Sequence, residues 1–81
     1  MPTVARFGNV RIVLYPTDHP PPHVHALRPD GAWAPLALNC PRGPVTVMDQ
    51  SGFRGSEMAE LGTAVTVPIC GHCDEWRRIR G

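Results

Sequence analysis

The chain has 81 residues, a formal net charge of +1 at pH 7 and 42% hydrophobic residues. Such a length forms one domain (1–81) that buries only about 60% of its unfolded surface, so we expect a homodimer or a partner protein to add stability. The small charge excludes strong electrostatic steering to nucleic acid or membrane, and no apolar run approaches the ~20 residues that span a bilayer. The start lacks the apolar core of a signal peptide, and three cysteines make no disulfide framework. We therefore predict a cytoplasmic protein whose cysteines are thiols or ligands.

Short strands are predicted through the first half of the chain. The predicted strands are 3–7, 10–15, 23–27, 32–38 and 45–48. The second is the strongest, because it is β-branched and nearly continuous, and its alternation puts Val10, Ile12 and Leu14 on an apolar face that should point into the core. A Pro-Asp-Gly turn predicts a hairpin of the third and fourth strands. Pro35 lacks a backbone donor and therefore predicts an edge strand or a bulge.

From about residue 54 the apolar residues recur every three or four positions instead of every two, which predicts helix within 54–80, after the strands and turns of 1–48. The apolar positions that recur on one helical face are Met58, Leu61, Val65, Ile69, Cys73 and Trp76. Pro68 breaks the pattern, so two helices at about 55–66 and 69–79 are expected, with Ser56 capping the first. The predicted fold class is α+β, in which a small antiparallel sheet of three to five strands carries a C-terminal helix, or two helical pieces, on one face.

Residues 18–25 read Asp-His-Pro-Pro-Pro-His-Val-His and hold the densest group of side chains that titrate or bind metal near neutral pH. Three consecutive prolines stiffen the entry to this segment. If the following segment is extended, His23 and His25 point to the same face, because side chains alternate along a strand. In a purely structural interpretation, the two imidazoles pack at a sheet edge and bond to backbone carbonyls.

Metal binding is a second interpretation, since His-x-His on a strand presents two imidazoles to Zn or another transition metal. The candidate ligands are His23, His25, Asp18, His19, Cys70, His72 and Cys73. The candidate cofactor is therefore Zn. Cys70 and Cys73 have C-x₂-C spacing, which also fits a redox pair, and inert buried thiols are a further alternative for them.

Acid–base catalysis on a phosphodiester is a third interpretation of the histidine pair. One of His23 and His25 would take a proton and the other would give one. Arg11 or Arg28 would stabilise the negative charge that develops in the transition state. This interpretation predicts a small nuclease or a metal-dependent hydrolase.

One tryptophan and three arginines are candidates for contact with a partner. Trp33 lies on a predicted edge strand, where an exposed indole can anchor a partner protein. Arg77, Arg78 and Arg80 close the second predicted helix, where cations suit the negative end of the helix dipole. They are interpreted either as a solvated helix end or as a contact to the phosphates of nucleic acid.

Residues along nearly the whole chain resemble one family. They are Met1-Pro2-Thr3-Val4-x-Arg6-Phe7, Arg11-Ile12, Tyr15, Asp18-His19-x-Pro21-Pro22-His23-Val24-His25, Asp30-Gly31, Gly52-Phe53, Glu57-Met58, Glu60-Leu61 and Glu75-Trp76. The chain resembles the small bacterial family called domain of unknown function 4160, whose most recognisable signature is Pro-Pro-His-Val-His. The chain departs from the family at Arg54, where members usually carry Ser, and at Pro68 and 70–73, which interrupt the family's long charged helix.

The resemblance implies a small α+β domain that belongs to a two-gene, toxin–antitoxin-like module. Our leading hypothesis is therefore a protein-interaction component of a bacterial toxin–antitoxin-like or mobile-element module. Its partner would be the cognate module protein or a larger complex. The alternatives are the nuclease or hydrolase described above and a phage-encoded inhibitor of a bacterial defence complex.

Overall fold

A computed structural model describes residues 3–15 and 19–80. The elements are β1 (Thr3–Phe7), β2 (Val10–Val13), β3 (His23–Leu27), β4 (Trp33–Ala37), β5 (Thr46–Val47), α1 (Gly55–Thr66) and α2 (Ile69–Arg80). The strands form one sheet in the order β1-β2-β3-β4-β5, and each neighbouring pair is antiparallel. The predicted α+β class is confirmed, as a five-stranded antiparallel sheet followed by two C-terminal helices. None of the helices in the described part is both long enough and apolar enough to cross a bilayer.

The core lies between one face of the sheet and the two helices. Strand register places Ile12 beside Ala26, and Val24 beside Leu36, so small and large apolar side chains alternate on that face. The prediction that Ile12 and Leu14 point inward is confirmed, since their exposures are 0% and 1%. Val13 is also fully buried, although it points to the other face. On that face its register partners are Thr3 of β1 and His25 of β3.

β4 is not an edge strand, which corrects the expectation drawn from Pro35. β5 pairs with its outer side, and Trp33 exchanges backbone hydrogen bonds with Ser51. Pro35 nevertheless pairs only through its carbonyl, which accepts the backbone N–H of Met48 at 2.9 Å. The side of Pro35 that lacks an N–H faces β5. The pairing between β4 and β5 is only two residues long there. The proline thus shortens the neighbouring strand instead of ending the sheet.

The two helices confirm the predicted break at Pro68 but not the predicted cap. α1 has Arg54 as its N-cap residue, and the Glu57 carboxylate accepts the Arg54 backbone N–H at 2.8 Å. Ser56 lies inside the first turn and is exposed, so the capping prediction for it is wrong. The acceptor comes from the third helical position, which is the reciprocal half of a capping box.

A disulfide joins Cys40, in the loop after β4, to Cys73 on the buried face of α2. The two Cα atoms are 6.0 Å apart, within the range that a disulfide spans. The prediction that all three cysteines are thiols or ligands is therefore wrong for this pair. The bond ties α2 to the end of the sheet at which β4 ends and β3 begins.

Arg28 joins the opposite end of the sheet to the start of α1. Its guanidinium donates to the Asp30 carboxylate at 2.9 Å, to the Glu57 carboxylate at 2.5 Å and to the Gly52 carbonyl at 2.9 Å. The same group lies 4.9 Å from the centre of the Phe53 ring, a cation–π distance. Arg28 thereby lowers the pKa of Asp30, while the Arg54 N–H is the main cause of the lowered pKa of Glu57.

Candidate functional site

Four aromatic rings form a continuous row where the sheet meets α2. Tyr15 lies edge-on to His25 at 4.7 Å between ring centres, and His25 lies edge-on to His23 at 5.1 Å. The His23 ring then contacts Trp76 of α2 at 5.4 Å. Edge-to-face contacts are favourable because the positive edge of one ring meets the negative face of the next. We call these four residues the ring row.

Alternation along β3 builds the ring row, as the sequence predicted for the histidine pair. His23 and His25 lie two residues apart on one face, and Val24 between them is fully buried on the other. Tyr15 follows β2 and shares the face of Val13, which is the register partner of His25. The extended backbone and the common side of the two imidazoles are therefore confirmed.

A backbone carbonyl sets the tautomer of His23. Its Nδ1 lies 2.9 Å from the carbonyl oxygen of Pro21. A carbonyl only accepts, so the hydrogen sits on Nδ1 and Nε2 is the basic nitrogen of the neutral ring. With its ring against Trp76 and its Nδ1 on the backbone, His23 has the contacts expected from the structural interpretation.

His23 and His25 lie together, but no third proposed metal ligand joins them among the described residues. In residues 3–15 and 19–80 no group of three or more His, Cys, Asp or Glu side chains is placed to hold a metal ion. Asp18 lies outside the described residues, and His19 is exposed. Cys73 is bound to Cys40, so its sulfur is no thiolate ligand, which removes one member of the predicted C-terminal group.

His72 and Cys70 point in different directions from α2. His72 is only 4% exposed, and its Nε2 has no hydrogen-bond partner. Burial lowers the pKa of His72, because desolvation disfavours the imidazolium. Cys70 is exposed and carries a free thiol. The helix therefore separates the two side chains that the sequence had grouped as ligands.

The two arginines proposed as charge stabilisers lie in different places. Arg11 is half-buried on the same face as the ring row, where it pairs with Leu27. It is two residues from Val13 along β2, roughly 7 Å at the usual strand rise. Arg28 lies beyond the far end of β3 and is engaged by Asp30 and Glu57. Arg11 alone remains a candidate.

Of the predicted partner contacts, Trp33, Arg77 and Arg78 are exposed, and the two arginines carry ion pairs. Trp33 is 41% exposed. Arg77 pairs with Asp74 one turn earlier, and Arg78 pairs with Glu75 at 2.6 Å and lowers its pKa. The side chain of Arg80 lies outside what the structure describes. Because two of the arginines face carboxylates on their own helix, the positive charge available to a phosphate is reduced.

An apolar groove between β5 and α1 was missed from the sequence. Its volume is about 480 Å³. The residues that line it are Pro44, Val45, Val47, Met58, Ala59, Gly62, Thr63, Thr66 and Val67. All of them are uncharged, and Val47 and Val67 are 44% and 81% exposed. The only local sign in these residues is that Val67 lies two positions after the inward-facing Val65 and therefore on the other side of the helix, and it does not indicate which strand lies beside it. We call this surface the β5–α1 groove.

The outer edge of β5 presents backbone groups beside the groove. Met48 donates its N–H to β4, and hydrogen bonding alternates along an antiparallel strand, so the N–H and C=O of Val47 turn away from β4. Val45 donates its N–H to the Thr66 hydroxyl at 3.1 Å. The hydroxyl in turn donates to the Gly62 carbonyl at 2.7 Å. These bonds fix the spacing between β5 and α1.

Comparison of the chain with known protein families, curated proteins and solved structures found no match. The resemblance to the domain of unknown function 4160 family therefore stays a prediction.

Proposed function

We propose that this protein acts by binding a partner protein, and that the partner inserts an extended, uncharged segment into the β5–α1 groove. The observation that carries the proposal is the coincidence of exposed apolar side chains with an outward-facing backbone edge at Val47. An added strand uses both features, because main-chain hydrogen bonds supply affinity and pockets for alternate side chains supply specificity.

The chemistry of the groove selects the class of segment. No charged residue lines it, so a charged side chain placed there would lose hydration without gaining an ion pair. Ala59, Gly62 and Thr63 have small side chains and leave room along α1 for the side chains of the partner. An extended run of β-branched or other apolar residues satisfies both conditions.

The wider role follows from the family resemblance. The protein would be a component of a bacterial toxin–antitoxin-like or mobile-element module in the cytoplasm, and its partner would be the cognate module protein or a larger complex. Inhibition of a bacterial defence complex by a phage-encoded protein uses the same binding chemistry and differs only in the partner.

A library of short random peptides displayed on phage tests the groove directly. We expect enriched peptides to be apolar and to bind the wild-type chain, and V47D or V67D to weaken that binding by about tenfold or more, which is about 1.4 kcal/mol. M48D is the matched control, since Met48 is next in sequence and 51% exposed but does not line the groove.

Two results would contradict the proposal. One is a library that enriches no apolar sequence. The other is an enriched peptide whose affinity falls with M48D and is unchanged by V47D, which would move the docking surface to the opposite face near Trp33. Circular dichroism of each variant checks that the fold is retained.

A small hydrolase is the second candidate, favoured by the 5.1 Å separation of the two imidazoles and by Arg11 on the same face. It requires H25A to abolish cleavage of a phosphodiester substrate while W33A, an exposed aromatic on that face, leaves it unchanged. Equal rates for wild-type protein and H25A would end this hypothesis. The contact of His23 with the Pro21 carbonyl and with Trp76 favours the binding role instead.

A further inference from the structure

The three cysteines of the chain lie at one end of the fold in two different states. Cys40 and Cys73 are joined in a disulfide, and Cys73 is only 2% exposed. Cys70 is an exposed free thiol on the same helix as Cys73. An exposed thiol close to a disulfide can attack one of its sulfurs by thiol–disulfide exchange.

Helix geometry puts the two sulfurs of α2 within reach of one another. Residues at i and i+3 are surface neighbours with Cβ atoms about 5–6 Å apart. A disulfide needs about 3.5–4.5 Å between Cβ atoms, so the first turn of α2 must tighten by about 0.5–2.5 Å to join Cys70 to Cys73.

The start of α2 is suited to that adjustment. Cys70 is its second residue, and the first-turn bond from the His72 N–H to the Pro68 carbonyl is 3.3 Å, which is longer than usual. Gly71 and His72 separate the two cysteines, and apart from the adjoining backbone of α2 nothing lies within 4 Å of where a Cβ of Gly71 would stand. A glycine there lets the backbone change with little steric cost.

We propose that Cys70 exchanges with the Cys40–Cys73 disulfide and thereby moves it from a shielded to an exposed position. The Cys70 thiol loses its proton to solvent and its Sγ attacks the Sγ of Cys73. The Cys70–Cys73 bond forms, the Cys40–Cys73 bond breaks, and Cys40 leaves as a thiolate that takes a proton from solvent. The number of disulfides is unchanged, so no external oxidant or reductant is consumed.

The exchanged form can react with low-molecular-weight thiols. In it, one sulfur of the disulfide belongs to the exposed Cys70. A thiolate such as glutathione then attacks the Sγ of Cys70, a mixed disulfide forms there, and Cys73 leaves as a thiolate. Exchange also removes the disulfide link between α2 and the loop after β4 and leaves α2 attached to the sheet by non-covalent contacts.

Trypsin separates the two forms cleanly, because Cys40 lies in the tryptic peptide 12–42 and both Cys70 and Cys73 lie in 55–77. The oxidised monomer is incubated without oxygen, quenched with acid, alkylated with N-ethylmaleimide, digested without reduction and sequenced by mass spectrometry. We expect two species in the wild-type chain. In one, peptides 12–42 and 55–77 are cross-linked and Cys70 is alkylated. In the other, Cys40 is alkylated and 55–77 is closed on itself.

Cysteine variants distinguish exchange with Cys70 from opening of the Cys40–Cys73 disulfide by any other route. C70S should lose the second species completely, and its folding is protected because Cys70 is exposed. S56C combined with C70S is the matched control, since Ser56 is likewise exposed and is the second residue of α1, so the thiol is kept but moved to the other helix. It should also leave Cys40 unalkylated.

A second measurement follows reaction with glutathione. The wild-type chain should acquire a glutathione adduct on Cys70 together with alkylated Cys40, and C70S should acquire neither. The inference is overturned if Cys40 stays unalkylated in the wild-type chain, if it is alkylated equally in C70S, or if Cys70 only cross-links two chains while the Cys40–Cys73 bond persists.

Discussion

The two ends of the sheet hold their helices by different physical means. At the Arg28 end, formed by Arg28, Asp30, Gly52, Phe53 and Glu57, the start of α1 is held by hydrogen bonds and ion pairs close to solvent. At the Cys73 end, α2 is held by a disulfide, a buried imidazole and the contact of Trp76 with His23.

The difference predicts which conditions loosen each helix. Ion pairs near solvent contribute little and weaken with salt, whereas a disulfide constrains the unfolded chain whatever the salt concentration. The attachment of α1 at the Arg28 end should therefore weaken at high salt and at a pH low enough to protonate Asp30 and Glu57. The attachment of α2 at the Cys73 end should weaken when thiols reduce the disulfide and when the pH falls into the range in which histidine is protonated.

The largest expected effect is loss of the disulfide. Cys40 and Cys73 are separated by 33 positions in sequence. The chain-entropy relation for a loop of that size gives about 3–4 kcal/mol of stabilisation at 25 °C. Urea unfolding with and without dithiothreitol measures it, and C70S is the control because it keeps the bond. An unfolding free energy that does not depend on reductant would contradict the covalent attachment of α2.

Gly52→Ala should be the most damaging small change at the Arg28 end. Gly52 has φ of +89°, and an added Cβ would lie 2.9 Å from the Cβ of Ala32. Backbone strain and overpacking together should cost about 2–3 kcal/mol, measured by urea unfolding. Gly62→Ala is the matched control, because it lies in mid-helix with open space around it and should stabilise by up to about 1 kcal/mol. Equal effects for the two variants would argue against the close approach at Gly52.

His72 should make the Cys73 end sensitive to mild acid. Burial lowers its pKa in the folded state, so the unfolded chain binds more protons and stability falls as pH drops below the usual value of about 6.5. The loss continues down to the folded pKa of His72. H72L should be no less stable than the wild type at pH 7, because the unpartnered Nε2 is removed, and should lack the fall between pH 7 and 5.

Urea titrations at several pH values measure this difference, and the carboxylates do not interfere with it. Asp30 and Glu57 have lowered pKa values, so nearly all of their contribution is still present at pH 5 and is lost as pH falls further, through their ordinary values of 3.8 and 4.5 toward the lower folded ones. If the free energy of unfolding of H72L falls between pH 7 and 5 by as much as that of the wild type, a group other than His72 is responsible.

The smallest expected effect is that of Arg28→Met. Its side chain is 15% exposed, but its partners Asp30 and Glu57 are 61% and 39% exposed, so solvent screens the ion pairs. We expect the melting temperature to fall by only a few degrees, and the difference from wild type to shrink at ~1 M salt. A difference that stays the same at ~1 M salt would show that lost packing of the Arg28 stem on Phe53 dominates.

Local features of the sequence determined the order and the type of every element. The apolar alternation at Val10, Ile12 and Leu14 required a strand with one inward face. Pro68 required a break between two helices, because it lacks the amide hydrogen and clashes with the preceding turn. The common face of His23 and His25 also follows from the two-residue period alone. These are short-range constraints, so composition and spacing were sufficient to find them.

Only the tertiary structure decided which distant residues meet. Cys40 and Cys73 pair because the loop after β4 and the buried face of α2 converge, and no local pattern in either segment encodes that approach. The same holds for the groove between β5 and α1 and for the contact of His23 with Trp76. Such contacts depend on how the helices cross the sheet, which is set by the packing of the whole core and not by the period of any one segment.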